Sequence, residues 1–255
     1  MKHFTILITA LTILFFAPSC KKQSADPAPV ATAKKLQHIA TSGSAGATNQ
    51  SFTYDAQGRL IKEEDEDGTK TFQFGNNAVL IKDFNKLENR LAAVITGTTD
   101  NAGRITSYTG ISFGSNNSQT SITGQFTYDA NGYITQYKKI SANEVYSYDF
   151  VVTDGDYTSL TVHLNGMGGY TRTTGFTDKK ALSVVDRNIP GSFYYNNGLF
   201  GKSNTHLAKE EQYLASGALI PFLKSSFSYT MDSDGYVQTI IQSGSGSLFT
   251  TYTFQ

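Results

Sequence analysis

The sequence predicts an all-β protein, an antiparallel meander with little helix, and three observations carry the prediction. Segments in which apolar and polar residues alternate recur from Leu36 to the last residue. A degenerate unit, aromatic-x-aromatic followed by Asp-x-x-Gly, returns along the same stretch. The composition, Gly 23, Tyr 15 and Phe 17 against 5 Pro, suits strands and turns better than disorder.

The chain opens MKHFTILITALTILFFAPSC: Lys2 and His3, an apolar run from Phe4 to Phe16, then Ala17-Pro18-Ser19-Cys20. At about 1.5 Å per residue so short a run does not cross a hydrocarbon core of roughly 30 Å, and it reads as a signal-peptide h-region. Small residues leading into the sole cysteine resemble a bacterial lipobox, in which Cys20 receives the lipid and residues 1–19 are removed. Residues 20–35 are poor in large apolar side chains and read as a flexible tether. Residues 36–255 form the single β domain.

Within that domain the repeats are FTYDAQGRL at 52–60, FTYDANGYI at 126–134 and FSYTMDSDGYV at 227–237. TTDNAGRI at 98–105 is a weaker copy, and DEDG at 65–68 repeats the turn alone. Aromatics two apart share a strand face, so Phe52/Tyr54, Phe126/Tyr128 and Phe227/Tyr229 form apolar pairs. Asp55, Asp129 and Asp232 accept from a backbone N–H two residues on, and Gly58, Gly132 and Gly235 supply φ > 0. Leu60, Ile105, Ile134 and Val237 then begin the return strands of β-hairpins. Gly132, closing a tight turn, is expected to tolerate valine less well than Gly244, placed in a longer Ser-rich loop. Asp83–Arg90 reads as a helical turn or a loop. Residues 207–214 (LAKEEQYL) fit helix and strand about equally.

These repeats resemble YD repeats of Rhs-type proteins, and the domain resembles a group of Bacteroidetes envelope lipoproteins with degenerate YD-like hairpins. FSYTMDSDGYVQTI, the final TYTFQ, and NIPGSFYYNNGLFGKSNTHLAK carry the likeness, with Ala208 where that group has Pro. The resemblance implies a long, curved antiparallel sheet and brings no enzymatic activity.

Lys+Arg 21 balance Asp+Glu 21 with no basic stripe, which argues against nucleic acid as partner. His38, His163 and His206 have no paired metal-binding spacing. The acidic EEDEDG and DSDG segments fail the calcium-loop register, because the position needing a bidentate acid is Phe74 or Ile241. The letters G-x-S-x-G occur at Gly110–Gly114 without the strand–turn–helix setting of a nucleophile elbow, and no phosphate loop is present. The sequence therefore assigns no catalytic residue, metal or cofactor. Its leading reading is a membrane-anchored envelope lipoprotein acting as a non-enzymatic binding or scaffold module. The membrane is reached through the lipid, and a glycan, a peptide or another envelope protein is the partner. Lys21 and Lys22 after the cysteine favour the outer membrane. One alternative is a hydrolase of envelope polymers using distant acids such as Glu63, Asp156 or Glu210. Another is a structural protein whose sheet edge pairs with a second chain.

Overall fold

The computed structural model describes residues 34–43, 46–116, 118–142, 144–180, 198–244 and 247–255. Cys20, residues 1–19 read as a signal peptide, and residues 20–33 of the stretch read as a tether lie outside them. The described chain contains no helix. Its strands are β1 Leu36–Gly43, β2 Gly46–Tyr54, β3 Leu60–Glu64, β4 Gly68–Gly75 and β5 Ala78–Asn85. There follow β6 Arg90–Thr99, β7 Ile105–Phe113, β8 Gln119–Tyr128, β9 Ile134–Ser141, β10 Glu144–Thr153 and β11 Asp156–Leu164. The last are β12 Met167–Lys180, β13 His206–Ala215, β14 Leu223–Met231, β15 Val237–Gly244 and β16 Leu248–Phe254. One ambiguous segment resolves as strand and the other as a hairpin turn with its flanking strand ends. Residues 207–214 lie in β13, and Asp83–Arg90 spans the end of β5, a turn and the start of β6.

The long, curved, open sheet expected from the sequence is corrected by the pairing: each strand bonds antiparallel to the next, and β16 returns to β1, closing a barrel. The seam runs from Leu36↔Phe254 to Gly43↔Leu248. Beside it Lys35 and Gln255 exchange backbone N–H···O bonds of 2.8 and 3.0 Å. Twisted sheets seldom exceed about ten strands without curling or splitting. Closure satisfies the two rows of backbone groups that an open sheet leaves bare. It also removes the reading in which a sheet edge recruits another chain.

Strand alternation assigns the two faces. In β8, Ile122, Gly124 and Phe126 are buried, while Ser121, Thr123, Gln125 and Thr127 are exposed. Cross-strand partners carry the pattern around the wall: Phe126↔Tyr137, Tyr137↔Tyr148, Phe150↔Leu160 and Leu160↔Arg172 face inward. Phe126 and Tyr137 stack at 4.4 Å, and Tyr137 and Tyr148 at 5.2 Å. Tyr108 lies over Gly124, where a Cβ would come within 2.1 Å of its ring, and its hydroxyl meets that of Tyr137 at 2.6 Å. Apart from the half-buried Tyr148, these inward residues, down to Phe72, Ile81, Tyr252 and Ile39, are almost wholly shielded from water. A sixteen-stranded wall is wide enough for an aqueous channel. Here the described interior is a packed core.

The repeats at 52–60, 98–105, 126–134 and 227–237 act at one end, called proximal here because the first strand begins and the last strand ends there, whereas the DEDG turn at 65–68 lies at the other. Asp55 accepts from the Gln57 and Arg59 N–H groups through one carboxylate oxygen. Asp232 does the same for Asp234 and Tyr236, and Asp129 accepts from Tyr133. Gly58, Gly132 and Gly235 have φ of 79°, 93° and 86°. The residue opening each return strand is sealed completely: Leu60 and Ile105 are 1 % exposed, Ile134 and Val237 0 %. The tyrosine before each turn reaches sideways. Tyr54 donates to the Leu36 carbonyl, Tyr128 to that of Ile105 and Tyr229 to that of Ala208. One local motif thus makes the turn, fills the core below it and ties two strands.

The β12–β13 connection completes this end. Leu199 and Phe200, both buried, sit over the repeat layer, with Phe200 5.4 Å from the Phe126 ring. The Leu199 carbonyl accepts from the Ile105 N–H, and Lys202 N–H donates to the Gly132 carbonyl. Tyr157 donates to the Lys202 carbonyl, and Asp156 accepts from both the backbone and the ring of His206. Residues 198–206 are therefore tied over the β7–β11 part of the proximal mouth and are called the plug here.

The expected ranking of two glycines is reversed. At Gly132 an added Cβ meets only the movable end of Arg104 at 3.0 Å. Gly244 closes β15 rather than sitting in an adjustable loop, has φ 146°, and a Cβ there would lie 2.2 Å from the Lys224 carbonyl oxygen. Each substitution by valine strains the backbone by about 1–3 kcal/mol, and Gly244→Val adds a collision with a fixed strand. Urea midpoints should fall further for Gly244→Val; a larger fall for Gly132→Val would contradict the seating of Gly244.

Candidate ligand-binding site at the distal rim

Toward the other end, called distal, the interior changes character. Arg172 and Glu211 are buried 3.7 Å apart, and the Tyr213 hydroxyl donates to Glu211. Thr41 and Thr250 meet at 3.3 Å, and Gln242 donates to the Ser225 hydroxyl. Across the neighbouring strands runs a charged row, Glu63 on β3, Lys70 on β4 and Asp83 on β5, in mutual register.

Glu63 faces Phe52 across β2 and is 4 % exposed. One carboxylate oxygen lies 3.9 Å from the Lys70 ammonium, and the other has no hydrogen-bond partner among the described residues. Burial pushes the Glu63 carboxyl up to about 7; Lys70 opposes the rise, while Asp83 and Asp65 add to it. A pocket of about 280 Å³ opens beside it, reaching the β3–β4 turn at Asp65, Asp67 and Gly68 and the end of β5 at Phe84 and Asn85. Asp65 is occupied as turn acceptor for the Asp67 and Gly68 N–H groups. Glu64 is held by Lys62 at 2.5 Å and Lys86 at 2.9 Å.

A carboxyl that is raised on folding favours the native state fully below the ordinary glutamate pKa. That contribution is lost as pH climbs through about 7. Glu63→Gln should therefore match wild type near pH 4 and exceed it by about 3 kcal/mol near pH 8.5. Urea melts at both pH values check this; an equal difference at the two would exclude titration of Glu63 as its source.

The three acids considered for hydrolysis do not converge. Glu63 points inward toward the distal rim, and Asp156 is held by His206 at the proximal end. Glu210 is exposed, next to the inward Glu211. His163 lies on the outer face, 3.1 Å from Asp149. Asp55, Gly58, Asp129, Gly132, Asp232 and Gly235 all serve the proximal turns, remote in the fold from the distal pocket. Lys34, in the stretch read as tether, bonds Asp232 at 2.7 Å and holds that carboxyl below its ordinary range.

No protein-family model matches the chain, and no curated protein matches it in sequence. Solved structures share its fold. A porin-like protein from Bacteroides uniformis superposes with a TM-score of 0.65 over 88 % of this chain and 98 % of its own, at 11 % identity. A porin-like protein from Bacteroides vulgatus gives 0.66 over 87 % and 99 %, again at 11 % identity.

Proposed function

We propose that this chain is a lipid-tethered, non-enzymatic protein of the cell envelope whose barrel stands outside the bilayer and binds a ligand at its distal rim. The observation that carries the reading is how side chains divide between the two faces. A membrane-spanning barrel turns an apolar band outward and keeps a polar lumen. Here the outer positions of β8 are Ser, Thr and Gln and those of β4 are Thr69, Thr71 and Gln73, while Phe, Tyr, Ile and Leu point inward. Ile111, Ile140, Val151, Met167, Ile241 and Phe249 are exposed on the strands; Ile241 faces Phe249 across β15 and β16, and Ser228 and Ser42 flank that pair. An outer face of this kind suits water, and a packed interior with a plug suits no conducting path.

The envelope address is supported by the h-region, by Cys20 with Lys21 and Lys22 after it, and by the two porin-like Bacteroides barrels of like fold. Binding is favoured over scaffolding because closure leaves no strand edge to pair, while the distal rim presents a buried carboxylate to a pocket. A non-enzymatic role is supported by the separation of Glu63, Asp156 and Glu210.

Labelled palmitate should enter the wild-type protein and be absent from Cys20→Ser. The unlipidated variant should leave membranes on alkaline carbonate extraction, stay soluble without detergent, and give no conductance steps in planar bilayers. Retention in carbonate-washed membranes, or discrete conductance steps, would overturn the reading of a barrel outside the bilayer.

A further inference from the structure

We propose that the pocket beside Glu63 is a binding site for a small organic cation carrying a primary ammonium group. The inference rests on the reading of the barrel as a binding module and names the ligand chemistry of its rim. Two independent observations meet there. The first is the pocket, of about 280 Å³, whose charged lining is acidic apart from Lys70. The second is the Glu63 carboxylate, 4 % exposed, with one oxygen unpartnered among the described residues and the other 3.9 Å from its nearest cation.

Charge-assisted N–H···O bonds form at about 2.7–2.9 Å, so the Lys70 contact is a loose Coulombic one and leaves the carboxylate without a close donor. Lys70 also stands in register with Asp83, so one lysine faces two acids. The missing component is a second positive charge that donates hydrogen bonds. An ammonium group supplies both, with up to three donors for Glu63 and the acids at the pocket mouth. A divalent metal fits less well: calcium takes about six to eight oxygens, and no group of three His, Cys, Asp or Glu among the described residues is arranged to hold a metal. A pocket of about 280 Å³ is larger than ammonium itself needs, so an alkylamine suits the site better.

The site is also linked to protons. The groups facing Glu63 are Tyr54 from β2, Lys70 from β4, Asp83 from β5 and Asp65 from the adjoining turn. With its carboxyl near 7, Glu63 is mostly neutral at pH 6.0 and mostly ionised at pH 8.5, whereas an alkylamine stays protonated at both.

Calorimetric titration of the detergent-solubilised mature protein with 1,4-diaminobutane tests the proposal, with calcium chloride as the competing probe. The expected result is saturable 1:1 binding, about tenfold tighter at pH 8.5 than at pH 6.0. Glu63→Gln should weaken it at least tenfold and flatten the pH dependence, and Asp83→Asn should weaken it less, each with an intact thermal transition. Undiminished binding by folded Glu63→Gln, preference for calcium over the diamine, or no saturable heat from folded wild type would each overturn the site. A barrel that binds no diamine yet passes the carbonate and conductance tests loses this site and keeps the proposed function. A barrel that conducts loses the proposed function whatever Glu63 does.

Discussion

Deleting residues 250–255 should unfold or aggregate the barrel, while deleting residues 23–33 should leave its melting temperature nearly unchanged. The tail is the middle and end of β16, the strand that joins β15 to β1. Thr250 and Tyr252 are 1 % and 4 % exposed, and Tyr252 lies opposite Ile39 across the seam. Burying a large apolar side chain contributes roughly 1.5–3 kcal/mol, and Tyr252 and Phe254 both go. The greater loss is topological, since one cut removes ladders on two sides and opens two edges at once. Against a total stability of about 5–15 kcal/mol, little remains. Residues 23–33, rich in Ala and Pro, have little to bury, and stopping at residue 33 spares the Lys34 ion pairs with Asp232 and Asp234. Circular dichroism melts and gel filtration separate the outcomes. A silent tail deletion would contradict closure of the barrel.

The plug provides the second large effect. Phe200 is 2 % exposed and packs on Phe126 inside the proximal mouth. Phe200→Ala should cost about 3–5 kcal/mol, the range for deleting a buried phenylalanine, and lower Tm by roughly 10 °C for a domain of this size. Leu219→Ala is the matched control: Leu219 is 96 % exposed on the β13–β14 connection, so its removal should change stability by no more than about 0.5 kcal/mol. Equal shifts for the two would mean that residues 198–206 do not cover that part of the proximal mouth.

Much of the proximal end was legible because its determinants are local. An Asp-x-x-Gly turn specifies its own hydrogen bonds within five residues, and aromatic-x-aromatic spacing assigns a face without knowledge of the neighbouring strand. The tyrosine hydroxyls were not legible, since Tyr54, Tyr128 and Tyr229 bond carbonyls on preceding strands whose register the sequence does not state. Closure escaped for the same reason: nothing in LQHIATSG announces that it pairs with LFTTYTF. Residues 207–214 stayed ambiguous because Lys and Glu favour helix, and the strand is imposed by β12 and β14 on either side. Glu63 lay in a run of acids that a turn explained well. Only the β2–β3 register, which sets it opposite Phe52, separates it from its solvent-facing neighbours. Gly244 was misjudged because its Ser-Gly context reads as loop, although it pairs with Ser225 in the sheet.

The seam has a kinetic meaning as well. Every other described pairing joins strands adjacent in the chain, whereas Leu36 finds Phe254 across nearly the whole domain. Loop-closure entropy grows as the logarithm of loop length, so this contact costs roughly 3 kcal/mol more to initiate than a ten-residue hairpin. The hairpins can zip one upon another in order, each templated by the last, and the first and final strands join when the rest of the wall is in place. Until then the chain is an open sheet with two bare edges, the species most apt to pair with a second copy. Joining the two ends of the domain is thus expected to be its slowest step and to close the edges through which it would self-associate.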